Sequence, residues 1–139
     1  FNSVKAARVR KTEFLLSNRV DFLLQLWDEL EAVNRDAGKR FKVAAVRLNG
    51  TLDLDWFKMF TLIDRDLFTL QNVVFYDYTK VFSRLQKYAG TSYSLTFSRS
   101  ESNQAEVVQA LAAGFNVAAV FDVVPSSWLN VTVSPHENG

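Results

Sequence analysis

A chain of 139 residues that is 48% apolar, with twelve Phe and three Trp, has the material for one buried core and is too apolar for a disordered segment. It holds no cysteine, which removes disulfides, thiolate metal sites, iron–sulfur clusters, haem thiolates and cysteine nucleophiles together. The net charge of +1 is unevenly spread: residues 1–99 carry all sixteen Lys and Arg against eleven acids (+5), and residues 100–139 carry four acids and no Lys or Arg (−4). That distribution permits an anionic partner near the first part of the chain without demanding one.

Residues 3–16 have helical spacing, with Val4, Ala7, Phe14 and Leu15 on one side and Lys5, Arg8 and Lys11 on another. The basic stripe reads either as a solvated helix face or as a phosphate-contacting one. Ser17 or Asn18 suits the N-cap of a second helix over roughly residues 18–36, whose apolar stripe is Phe22, Leu23, Leu26, Trp27, Leu30 and Val33. Gly38 is its expected stop.

An apolar strand over residues 42–48 then opens into Asn49-Gly50-Thr51, and a helix is expected from Asp53 or Asp55 to Ile63 with Trp56, Met59, Phe60 and Ile63 inward. Asp64 to Gln71 is a connector without a clear pattern. Val73 to Tyr78 is rich in branched and aromatic residues and reads as the second strand, followed by a short helix near residues 81–88. Tyr93 to Ser98 alternates cleanly and is the third strand. Asn103-Gln104-Ala105-Glu106 fits a capping box that opens a helix to Ala113, with Gly114 as its terminator. Val117 to Phe121 is the fourth strand, and Pro125 bars its continuation. Residues 126–139 read as a C-terminal tail with room for a short strand at Val131–Val133.

Strands alternating with helices predict an α/β fold, a four-stranded, mainly parallel sheet preceded by helices, within a single domain over residues 1–139. The sheet is either open or part of a β/α barrel. The first and third strands each have one aliphatic face and one small or polar face: Ala44, Val46 and Leu48 oppose Ala45, Arg47 and Asn49, and Tyr93, Leu95 and Phe97 oppose Ser94, Thr96 and Ser98. The polar face is the inside of a barrel, the floor of a cleft, or a surface for another chain.

Arg47 in mid-strand needs a partner, because an unpaired buried charge costs several kcal/mol; Asp77, Asp122 or a bound anion would serve. Acids and amides recur where the strands end, at Asn49, Asp53, Asp77, Glu101, Asn103 and Asp122, and strand carboxyl ends are where such folds place their sites. Converging carboxylates there would suit Mg²⁺ or Mn²⁺, with Lys80 and Arg99 meeting a substrate phosphate or carboxylate. The same acids are also expected simply as helix caps and ion-pair partners. Tyr76, Tyr78, Tyr88 and Tyr93 could stack on bases beside Lys80, Arg84 and Lys87, or fill the core and its rim.

Several activities lack their motifs: the chain has no Walker-type loop, no G-x-G-x-x-G, no G-x-S-x-G and no H-E-x-x-H. Its one histidine, His136, falls in the polar tail, away from any serine triad or metal site. No apolar run nears the ~20 residues that cross a bilayer, and no secretory leader pattern opens the chain, so the sequons at Asn49 and Asn130 read as chance matches.

Four stretches, Phe1-Asn2-Ser3-Val4-Lys5-Ala6-Ala7-Arg8-Val9-Arg10-Lys11-Thr12, Val46 to Asp53, Phe75 to Lys80 and Leu95 to Asn103, together resemble a family of phage-encoded proteins, the gene product eighty-eight type. The resemblance runs in order from the first residue to about Phe121 and weakens after Pro125. It implies a phage or prophage origin and action in the cytoplasm of the infected cell. Relatives of that type carry a cysteine-containing segment upstream, similar to the cluster-binding start of a radical-SAM-type barrel. The present chain begins after that point, as a fragment or a reduced relative.

The resulting expectation is a small or degenerate enzyme that binds an anionic, nucleotide-like ligand at the strand carboxyl ends. Arg47, Asn49, Lys80 and Arg99 would bind the ligand, and Asp53, Asp77 and Glu101 would supply acid–base or metal chemistry. The alternative is a non-catalytic accessory module that binds nucleic acid or a host protein, with the polar sheet face or the basic helix as its interface. Self-association through that face is a further expectation, and a membrane partner is not.

Overall fold

The computed structural model describes residues 2–135; Phe1, and with it His136 and Glu137 of the expected tail, lie outside the described residues. Two compact units share the chain, one of Phe1–Val46 with Leu54–Val74 and one of Arg47–Asp53 with Phe75–Gly139.

The first unit begins with helices α1 (Asn2–Ser17) and α2 (Arg19–Lys39). Asn18 separates them, its side chain accepting from Asp21 N at 3.3 Å, so the expected N-cap is in place. Leu23, Trp27, Leu30 and Ala37 are buried, and aromatic contacts link Phe14 to Phe22, Phe22 to Trp56 and Trp27 to Phe60. Val4 was expected inward but is 55% exposed, because the charged residues between it and Leu15 leave α1 no continuous apolar stripe.

Gly38 does not stop α2. A Cβ there would come 2.8 Å from Asn72 Nδ2, so the glycine permits a close approach. The left-handed residue that ends the helix is Phe41, at φ 55, and Lys42 N closes on Ala37 O at 2.9 Å. Because residues 41–42 serve that terminus, strand β1 (Ala44–Val46) is shorter than expected. Asp55 caps α3 (Trp56–Met59), which tightens into a 3₁₀ turn, Phe60–Ile63, rather than running on as one helix. A second 3₁₀ turn, Leu67–Thr69, occupies the expected connector and is capped by Asp66.

Strand β2 (Val73–Thr79) passes from the first unit into the second, which continues with α4 (Phe82–Lys87), β3 (Ser94–Ser98), α5 (Gln104–Ala112) and β4 (Asn116–Ala118). The four strands form one parallel sheet in the order β1-β2-β3-β4. Register pairs Asp77 with Leu95, Thr79 with Phe97 and Phe97 with Val117 on one face. Tyr76 and Ser94, Tyr78, Thr96 and Asn116, and Ser98 with Ala118 share the other. The first face holds the core of this unit, where Phe97 meets Leu85 of α4 and Val107 and Ala110 of α5, all nearly inaccessible. β3 divides as its alternation predicted, with Leu95 and Phe97 opposing Ser94, Thr96 and Ser98, whereas β2 puts polar Asp77 and Thr79 on the core face and Tyr76 and Tyr78 on the other.

Beyond β4 the expected tail contains a hairpin of β5 (Ser127–Trp128) and β6 (Val131–Thr132), antiparallel, with Leu129 and Asn130 both at positive φ in its turn. Trp128 packs onto the core and meets Phe121 edge-on at 5.3 Å. Among the described residues, no helix is long and apolar enough to cross a membrane.

Candidate functional site

The last residues of β2 that face the core are polar: Asp77 and Thr79 are each 2% exposed. Both are satisfied by the 47–53 loop and by neighbouring elements of the second unit. Asp77 Oδ1 accepts from Arg47 Nε at 3.3 Å and from Tyr78 N at 3.2 Å; Oδ2 accepts from Asn49 N at 3.1 Å and from the Tyr93 hydroxyl at 3.3 Å. Four donors converge on one buried carboxylate. Burial first, and then the Asp77 charge, push the Tyr93 phenol well above the ordinary tyrosine range.

Asp53, at the other end of the loop, is built the same way. Its Oδ1 accepts from Thr79 Oγ1 at 2.9 Å and Arg84 Nη1 at 2.5 Å, and its Oδ2 accepts from Lys80 N at 2.8 Å. Two acids thus fasten the 47–53 loop to β2 and α4. Arg47 is not in mid-strand but just past β1; its side chain is 39% exposed, with the guanidinium 4.9 Å over the Tyr78 ring and donating to Gly50 O. Of the three partners expected for it, Asp77 is the one it meets.

A second polar group forms where β3 ends. Arg99 Nε donates to Gln104 Oε1, the side chain of the first residue of α5, at 3.0 Å, and the guanidinium lies 5.8 Å over Trp128. Asn103 does not form the expected capping box. Its amide turns back, accepting from Ser100 N at 2.7 Å and donating to Ser98 O at 2.9 Å, so no side chain caps the first turn of α5. Asn103 is 7% exposed and closes the β3–α5 turn. Lys80 and Arg99 each leave their strand at its carboxyl end; by the Thr79–Phe97 register Arg99 lies one residue further along, and it turns to the side of α5 and Trp128.

Comparison with known protein families matches the model described as Gene product 88 over residues 1–138. The chain belongs to that family. Gene product 88 proteins are phage products, and the match includes the segment after Pro125, where the sequence resemblance faded. No curated protein and no solved structure matches the chain.

In this Gene product 88 chain the candidate residues separate into two groups. Arg47, Asn49 and Asp77 come together, and Asp53 is tied to the backbone of Lys80. Arg99 sits instead with α5, and Glu101 is exposed in the β3–α5 turn. The oxygens of Asp53 and Asp77 are taken up by protein donors, and among the described residues no three His, Asp or Glu side chains are grouped as a metal site. The donor set does not fit Mg²⁺ or Mn²⁺ at the strand ends.

Sequence reasoning did not find Thr79, Arg84 and Tyr93 as the partners of these acids. Only Thr79 had a signal, as a hydroxyl on the inward face of an apolar strand. A cavity of about 190 Å³ opens at the opposite edge, at the amino ends of β3 and β4, lined by Tyr88, Gly90, Thr91, Tyr93, Gly114 and Phe115 among others.

Proposed function

We propose that the protein binds a phosphate-bearing, nucleotide-like ligand at the carboxyl ends of β2 and β3. The observation that carries this reading is Arg99 fixed against the uncapped first turn of α5. A guanidinium beside the positive end of a helix is mutually unfavourable, and Glu106 in the first turn offsets only part of that. An anion in the same place would satisfy the free amides and the cation together. Lys80 supplies a second exposed cation from the neighbouring strand, and Arg47 a third with part of its guanidinium in solvent.

In this reading Asp77, with Asn49, and Asp53 are positioning residues: they hold Arg47 and the 47–53 loop. Glu101, the exposed carboxylate of the β3–α5 turn, is the group left for acid–base chemistry if the bound ligand reacts. The phage relationship supports action in the cytoplasm of the infected cell.

The test is titration of the ¹⁵N-labelled protein with inorganic phosphate and with a nucleoside monophosphate, read at the amides of Gln104, Ala105 and Glu106. Saturable shifts there are expected, weakened roughly 10- to 150-fold by Arg99→Ala, the fold-change for the ~1.5–3 kcal/mol of a charged hydrogen bond. Shifts that are absent, or indifferent to Arg99→Ala and Lys80→Ala, would overturn the reading.

A further inference from the structure

Within the second unit the sheet has a face on which neither α4 nor α5 packs. Its order, β1-β2-β3-β4, never reverses. Right-handed crossovers that always step the same way place every connecting helix on the same side. In the second unit α4 and α5 indeed both pack on the Phe97 face. The opposite face carries Tyr76, Tyr78, Ser94, Thr96, Ser98 and Asn116. Tyr76 is 42% exposed, and Ser94 and Asn116 are exposed as well.

Parallel sheets are ordinarily covered on both sides. Were this face the lining of a closed barrel, it should be filled with bulky aliphatic side chains. It has aromatic hydroxyls and small polar groups instead, and no acid. Its carboxyl edge is bordered by Arg47 and Lys80, whereas Arg99, held against Gln104 of α5 and over Trp128, belongs to the Phe97 side. Such a surface is sticky for flat π-systems, wettable, and positive along one margin.

We infer that this face binds single-stranded nucleic acid, with bases stacked on Tyr76 and Tyr78 and phosphates following Arg47 and Lys80. Resting on the anion reading above through Lys80 and Arg47, which the two share, it names the ligand class. The two tyrosines stand on one strand roughly 6.6 Å apart, at two strand rises, which suits bases splayed from each other rather than a continuous stack. Arg47 already lies over the Tyr78 ring, so cation and aromatic form one platform. Ser94, Thr96 and Asn116 offer hydrogen bonds to base edges. A duplex is a poor match, since its bases are stacked on each other and this face has no element that projects into a groove.

Fluorescence anisotropy of labelled twelve-nucleotide dT and U strands, with a duplex of the same length, tests this. Single strands should bind more tightly than the duplex. Tyr76→Ala and Tyr78→Ala should each weaken binding roughly 5- to 150-fold, the range for removing one base–aromatic stack, and Tyr→Phe at either position should restore it. Lys80→Ala should lower the logarithmic salt slope by about 0.7, one phosphate on a single strand.

Phosphate binding at α5 without oligonucleotide binding, or with binding indifferent to both Tyr→Ala variants, overturns this inference and leaves the anion site standing. Loss of phosphate binding as well removes both. Equal affinity for the duplex also overturns it, as does concentration-dependent self-association in ultracentrifugation that Tyr76→Ala abolishes, which would assign the face to a second copy of the chain.

Discussion

Asp77 lies on the core side of β2 with 1% of its side chain exposed, yet it receives donors from a loop, its own strand and the next one. The ion pair with Arg47 is the weaker part of that arrangement, since the guanidinium is well over a third exposed and water screens it. The buried bonds from Asn49 N and the Tyr93 hydroxyl carry more. Tyr93→Phe should therefore cost about 1.5–3 kcal/mol near pH 8, the worth of a hydrogen bond to a charged group. The folded-state pKa of Tyr93 is raised. Its contribution is then complete below the unfolded value, near ~10, and is lost as pH rises beyond it, because the unfolded chain ionises first. Urea unfolding at pH 8 and pH 11 checks this: the gap between wild type and Tyr93→Phe should narrow at the higher pH, and a constant gap would refute it.

At the scale of elements, several boundaries were decided by what the flanking residues were already doing. β1 starts late because the α2 terminus uses residues up to Lys42. α5 lacks its cap because Asn103 is spent on the turn from β3. The β5–β6 hairpin has a two-residue turn with Leu129 at φ 50 and Asn130 at φ 62, a conformation that Asn and Gly adopt easily and Leu does not. Leu129→Asn should stabilise the hairpin by about 0.5–1 kcal/mol, somewhat below the ~1–2 kcal/mol steric cost of that region because the 42%-exposed side chain also loses some contact. Thermal unfolding measures it, and a lower Tm would show that Leu129 is held by packing instead.

For the molecule as a whole, the chain passes between the two compact units after Val46, Asp53 and Val74, so neither is a continuous segment. Strand β2 belongs to both. Such interleaving leaves no linker at which one part could unfold while the other stays folded. The expectation of one domain therefore becomes a calorimetric prediction: a single transition whose van't Hoff and calorimetric enthalpies agree. Two separable transitions, one of them insensitive to Tyr93→Phe, would instead mark two domains.

Much of this was legible in the residues. Period-two alternation over Tyr93 to Ser98 and helical spacing in residues 18–36 depend only on local geometry, and those patterns held. An arginine after an apolar run needs an acid, and the small set of inward-facing acids made Asp77 a natural partner. What the sequence could not express was competition for donors. Whether Asp53 and Asp77 keep lone pairs for a metal or substrate depends on Thr79, Arg84 and Tyr93, which only the folded chain brings to them. Strand order also lies beyond local pattern: alternation marks a polar face, but only the folded chain, with its unreversed strand order, puts both α4 and α5 on the other one.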